Sequence, residues 1–202
     1  MKKEFRDGLL IDNSILVEDV NDAGFAFVAR LFQLLAILVG AWSFVSIFLE
    51  SIPVPANVAG LHLTILLSFI LAVILCLIPS YNGVKLFFCI FFYALFFISR
   101  FKAIQNGFYI MENEVVTRLE EYFDTYIGKY VADYSTQYRD SNLLMIMIVI
   151  PVVFLLAIAV FTGMFVKIAS AVLLLPVAAS FLFGLTPSEH YMVSCVATVL
   201  YL

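Results

Sequence analysis

Four residues have side chains that can hold a divalent metal. Glu50, His62, Glu189 and His190 supply two imidazoles and two carboxylates, and such a set leaves a coordination position for water. They fall beside the ends of apolar runs, so a chain that crosses a membrane in alternation can bring them to one surface. A second pair lies deeper. Arg30 and Gln33 are three residues apart near the start of the first apolar run and share a helical face. An arginine there snorkels to the interface, and the glutamine bonds across a helix contact; together they can also line a polar cavity or hold a lipid headgroup.

The third set is aromatic. Tyr122, Tyr126, Tyr130, Tyr134 and Tyr138 recur every four residues. On one helix they form a stripe that winds slowly around the axis. Tyrosine suits a membrane interface, with its ring toward acyl chains and its hydroxyl toward headgroups. The same stripe can serve as a face for a partner protein.

Soluble-enzyme and cofactor motifs are absent from the chain. It has no phosphate-cradling glycine loop, HExxH, CxxC or GxSxG, and no catalytic residue or cofactor is assigned. Cys76, Cys89 and Cys195 share no close spacing and read as small buried hydrophobes. The 11 basic and 15 acidic residues provide no basic face for nucleic acid.

The elements that position these residues follow from hydropathy. Of 202 residues, 64% are hydrophobic and 13% charged, against about 25% charged in a soluble domain. The apolar residues cluster into runs near the roughly 20 residues that span hydrocarbon. The sequence therefore predicts an all-α, polytopic transmembrane helical bundle with five or six crossings. Residues 1–24 form a polar N-terminal segment, and 25–99 hold three spans near 25–49, 59–78 and 84–99. Pro53, Pro55 and Pro79 separate them, with Asn82-Gly83 as a tight turn. Residues 100–142 form an amphipathic, interfacial segment. Residues 143–202 hold spans near 143–161 and 168–185, each with an internal proline, and a truncated sixth span or interfacial helix from 191.

Within the interfacial segment the spacing predicts one helical element over 108–140. Asn106-Gly107 is read as a turn before it, Asn113 as its N-cap and Gly128 as its weak point. Glu114–Arg118 and Lys129–Asp133 are i,i+4 pairs on its wetter face.

No Asp or Glu lies in the middle of a span, which disfavours an ion-coupled transporter. The leading expectation is a membrane-embedded anchoring, assembly or scaffold domain of a larger protein or complex. The alternatives are a membrane transport component (a permease subunit) and the membrane domain of a multispan enzyme. Partners are membrane lipids and a protein or further domain beyond Leu202, with no nucleic acid. Lys2, Lys3, Arg6, Lys85 and Lys167 favour a plasma-membrane protein with a cytoplasmic N-terminus, while Arg100 and Lys102 weigh against that orientation. In a background without native cysteines, single cysteines at Asn57 and Ser188 are expected to react with an impermeant thiol reagent in intact cells. One at Asn82 should react only after permeabilisation; labelling at 82 with protection at 57 reverses the topology.

Overall fold

A computed structural model describes residues 18–52, 54–77, 82–182, 184 and 186–202. Seven α-helices run through them: α1 (Glu18–Ser51), α2 (Val58–Leu77), α3 (Asn82–Ser99), α4 (Phe101–Phe123), α5 (Gln137–Thr162), α6 (Val166–Leu182) and α7 (Glu189–Tyr201). A single 3-10 turn, Tyr134–Thr136, leads into α5. The chain is an all-α, multi-pass membrane bundle. Three segments are each long and apolar enough to cross: Phe27–Ser51, Val58–Leu77 and Tyr134–Thr162. Of the other expected spans, Val84–Ser99 qualifies only together with α4, across a 78° bend, and α6 is an apolar helix of 17 residues.

Two compact units divide at Leu35. The first contains the opening turns of α1, on which Phe27, Val28, Leu31, Phe32 and Leu35 are exposed. The polar tail expected at 1–24 falls largely outside the described residues. In the second unit α5 is the central pillar. Met145, Val149, Val153, Leu156 and Ala157 on it are almost fully buried and join Ile37, Ala41, Val45, Leu61, Leu173 and Cys195 in one core.

The proline in that pillar has a visible compensation. Pro151 has no N–H, which frees the carbonyl four residues earlier, at Met147. The Tyr93 hydroxyl from α3 donates to that carbonyl at 2.8 Å. A hydroxyl from a neighbouring helix thus satisfies the broken rung inside an apolar bundle.

Helix α7 runs alongside α1. Glu50 bonds Ser188 at one end. Ten residues back along α1, a Cβ built on Gly40 would come 2.8 Å from the Thr198 side chain. Both contacts fit a single antiparallel register. The buried Cys195 thiol also donates to the Leu173 carbonyl of α6, at 3.4 Å.

Three local expectations need correction. Asn82-Gly83 opens α3 instead of turning, while 78–81 lie outside the described residues. Asn106-Gly107 sits inside α4, because Gly107 packs directly against α5: an added Cβ would collide with the Asp140 carbonyl and crowd Ser141 N at 3.1 Å. Asn113 is likewise mid-helix and buried, so it caps nothing.

Replacing Tyr93 with Phe should destabilise the bundle by about 1 kcal/mol, since it leaves a buried carbonyl without a partner. Pro151→Ala restores an N–H for that carbonyl, so the cost of Tyr93→Phe should shrink in its presence. A double-mutant cycle of unfolding in micelles reads the coupling; strictly additive effects would refute the compensation.

Candidate functional site

Helix α4 leaves the end of α3 at the 78° bend and packs against α5. Ile104, Gly107, Ile110, Asn113 and Val116 form its buried row, spaced by three. It stops at Asp124, whose φ of 48° is left-handed, a conformation aspartate tolerates. Residues 124–133 then form no regular element, and this strap carries the chain back along α4 to the start of α5. The helical element expected over 108–140, with Gly128 as the point that can divide it in two, instead ends at Phe123, and helix resumes only with the 3-10 turn and α5.

The strap is held by a polar row on α4. Asn106 accepts the Asp133 N–H at 2.8 Å and donates to the Asp133 carbonyl at 2.9 Å. One heptad on, Asn113 does the same for Tyr130, at 2.8 and 2.9 Å. A further heptad on, Glu120 accepts the Ile127 N–H at 2.9 Å and pairs with Lys129 at 2.9 Å. Seven helical residues rise about 10.5 Å, and three extended residues cover about 10 Å. A row spaced by seven on the helix therefore meets a strap read every third residue. Each asparagine amide presents one donor and one acceptor, as a strand edge does, so it satisfies both backbone groups of its partner.

Where the strap enters α5, the nearly buried Asp140 carboxylate gathers the junction. It accepts from Thr136 at 2.6 Å, from Asn106 at 2.8 Å and from Arg139 at 2.9 Å. A buried carboxylate that lost these donors would be strongly unfavourable, so the three bonds tie α4, the 3-10 turn and α5 into one piece.

The five tyrosines share no helical stripe. Tyr122 ends α4, Tyr126 and Tyr130 lie on the strap, Tyr134 opens the 3-10 turn and Tyr138 begins α5. All are exposed, Tyr126 to 91%. Tyr130 stacks on Tyr109 with rings 4.9 Å apart and 5° from parallel, and the Tyr134 hydroxyl accepts from Asn113 at 3.1 Å. In place of the expected pairs 114–118 and 129–133, Arg118 pairs with Glu121 within α4, and Lys129 pairs with Glu120 because the strap runs back along the helix.

The metal candidates do not assemble. Both Glu50 carboxylate oxygens are engaged by Ser188, from its N–H at 2.8 Å and its hydroxyl at 2.7 Å. That places a negative charge at the N-terminus of α7, where it is favourable. His62 rests against Trp42 and His190 against Tyr191, with ring centroids 4.7 and 4.0 Å apart, while Glu189 is exposed. Among the described residues no three His, Cys, Asp or Glu side chains form a metal-holding group. Within the first unit Arg30 is exposed, and the Gln33 side-chain oxygen is buried without a hydrogen-bond partner.

The clasp at the far end of the strap sets a pH dependence. The Lys129 and Ile127 N–H donors hold the Glu120 carboxyl below its usual range, and the Glu120 carboxylate raises the Lys129 ammonium above its own. The Glu120 contribution is present above the ordinary carboxylate value and is lost as pH falls through the depressed one. The Lys129 contribution is present below the ordinary ammonium value and is lost as pH rises through the raised one. A spin label at Tyr126, beside the Ile127 bond, should therefore stay immobile from pH about 5 to about 10 and loosen in more acid solution. Glu120→Gln should remove the acid step, and Asn113→Ala should mobilise a label at Val131 at every pH. Equal mobility in Asn113→Ala and wild type would disprove the clamp. No family model, curated protein or solved structure matches this chain, so its functional reading rests on the geometry of the clamped cap.

Proposed function

We propose that the protein is a membrane-embedded anchoring and assembly domain whose bundle holds a rigid aromatic platform at one membrane face. The observation that supports this most directly is the double asparagine clamp. It fixes an otherwise irregular ten-residue strap through its backbone and leaves side chains such as Tyr126 and Val131, 91% and 97% exposed, free to meet a partner. A merely connecting loop needs no such fastening, whereas a docking surface gains affinity from being ordered beforehand. Exposed, rigid tyrosines are also favoured contact residues at protein interfaces.

The described spans offer the transport and enzyme alternatives less to work with. Ser43, Ser180 and Thr198 are buried, and their hydroxyls turn back to carbonyls of their own helices. Three ion pairs, by contrast, lie in the cap, Arg118–Glu121, Glu120–Lys129 and Arg139–Asp140. With the N-terminus cytoplasmic, as the basic-residue distribution favours, this platform faces outward. The segment boundaries read from sequence belong to the same proposal: three spans to residue 99, an interfacial segment to 142, and the remaining bundle beyond it.

Photocrosslinkers at Tyr126 and Val131 in native membranes should each yield the same discrete protein adduct. The adduct should be lost in the Asn106→Ala/Asn113→Ala protein, which keeps every exposed side chain but frees the strap. A crosslinker at Leu67, exposed on α2, should not yield it. Adducts with lipid alone, or an adduct indifferent to the clamp, would overturn the assembly reading.

A further inference from the structure

Beside the strap, a cleft of about 330 Å³ opens between α4 and residues 131–133, lined by Lys102, Gln105, Asn106, Tyr109, Val131 and Asp133 among others. Its polar groups differ in what they have left to offer. The Asn106 amide is consumed by Asp133 and Asp140. The Tyr109 oxygen accepts from Gln105 at 2.8 Å, so its own O–H remains as a donor. The ring that carries it is held by the parallel stack on Tyr130. Lys102 is exposed and forms no ion pair among the described residues. On the opposite wall, Ser135 engages only Oδ1 of Asp133, leaving Oδ2 without a partner among the described residues. One cleft thus presents a cation and a hydroxyl donor at one side and an open carboxylate oxygen at the other.

We propose that this cleft binds a zwitterionic phosphate–ammonium group, the headgroup of a phospholipid such as phosphatidylethanolamine, with Lys102 and Tyr109 on the phosphate and Asp133 on the ammonium. A purely anionic ligand would meet the Asp133 charge, and a purely cationic one would meet Lys102. A ligand carrying both charges matches both walls. The placement favours a lipid over a free metabolite of the same chemistry. Phe101 and Phe108, both about half exposed, form a row along α4 adjacent to the Lys102–Tyr109 row. The helix bends away from a membrane-compatible apolar helix just before them. Acyl chains can lie against the phenylalanine row while the headgroup sits one row over. The cleft shares Val131 and the clamped strap with the proposed platform, but lipid binding in it requires no protein partner.

Two substitutions change charge while keeping shape. Lys102→Met retains the aliphatic stem, and Asp133→Asn retains the Oδ1 acceptor for Ser135. Purified protein in detergent is mixed with equal amounts of phosphatidylethanolamine and phosphatidylglycerol, and bound lipid is read by native mass spectrometry. Wild type should retain phosphatidylethanolamine preferentially. Lys102→Met should lower retention of both lipids by about two- to five-fold, the range expected for one exposed charge pair. Asp133→Asn should lower phosphatidylethanolamine alone and level the preference. A Val131 spin label should remain immobile in both variants, which separates loss of the site from loss of the strap. Equal retention of the two lipids by wild type, or a preference unmoved by Asp133→Asn, would overturn the proposal. Glycerophosphoethanolamine, which carries the headgroup without acyl chains, should fail to compete at equal concentration; effective competition would assign the cleft to a soluble ligand instead of a lipid.

Discussion

Between the end of α4 and the 3-10 turn that leads into α5 the chain has to travel back along nearly the whole of a helix it has just built, and it has ten residues in which to do so. A helix rises only about 1.5 Å per residue, whereas an extended chain covers more than 3 Å. The return must therefore be extended, and an extended segment with no neighbouring strand leaves its N–H and C=O groups without partners. Asn106, Asn113 and Glu120 answer that demand from the helix side. Their heptad spacing keeps them on one face of α4, and their rise matches a three-residue step along the strap. The position of α5, the exposure of the strap side chains and the cleft beside them all follow from this match.

Close approach of α4 to α5 is the second half of the arrangement. Gly107 brings the two backbones together where any side chain would collide with Asp140. The same short distance lets Asn106 reach both Asp133 and Asp140, so a single side chain closes the strap and neutralises the need of a buried carboxylate. Further into the bundle the constraints change character. Polar demand is met pairwise, as when the Tyr93 hydroxyl replaces the N–H that Pro151 lacks. Elsewhere close packing dominates, with Gly40 admitting the Thr198 side chain. Glu50 joins the beginning of α7 to the end of α1, which aligns these helices in antiparallel register.

The chain thus separates two kinds of stabilisation in space. Its bundle buries apolar side chains and presents others outward, a pattern that lipid accommodates and water does not. Its cap is built from directional bonds, in which buried side chains such as Asn113 and Asp140 hold an otherwise exposed strap and its junction with α5. Five basic and seven acidic residues lie within 100–142, and several are paired within that segment. Order in the cap comes from backbone clamping, and it leaves side-chain chemistry available for contacts outside the chain.

Hydropathy alone determined that the chain is an all-α membrane protein, because runs of apolar residues near the thickness of a bilayer have few other uses. The apolar runs that hold Pro151 and Pro176 likewise became helices α5 and α6. The strap was not legible in that way. Tyrosines spaced by four satisfy a helical pattern as well as any residues can, and only the competing bonds from Asn106 and Asn113 draw 124–133 out of helix. Periodicity describes one segment against solvent; a clamp depends on two segments whose registers agree, and no single-segment pattern contains that agreement. The row of Asn106, Asn113 and Glu120 was present in the sequence as a polar heptad, but its meaning required knowing that the chain returns beside it. For the same reason Glu50, His62, Glu189 and His190 had the right chemistry for a metal and lacked the geometry. Residue type determines which bonds a side chain can make, and tertiary packing decided that Glu50 would spend both oxygens on Ser188 while each histidine lay against an aromatic ring.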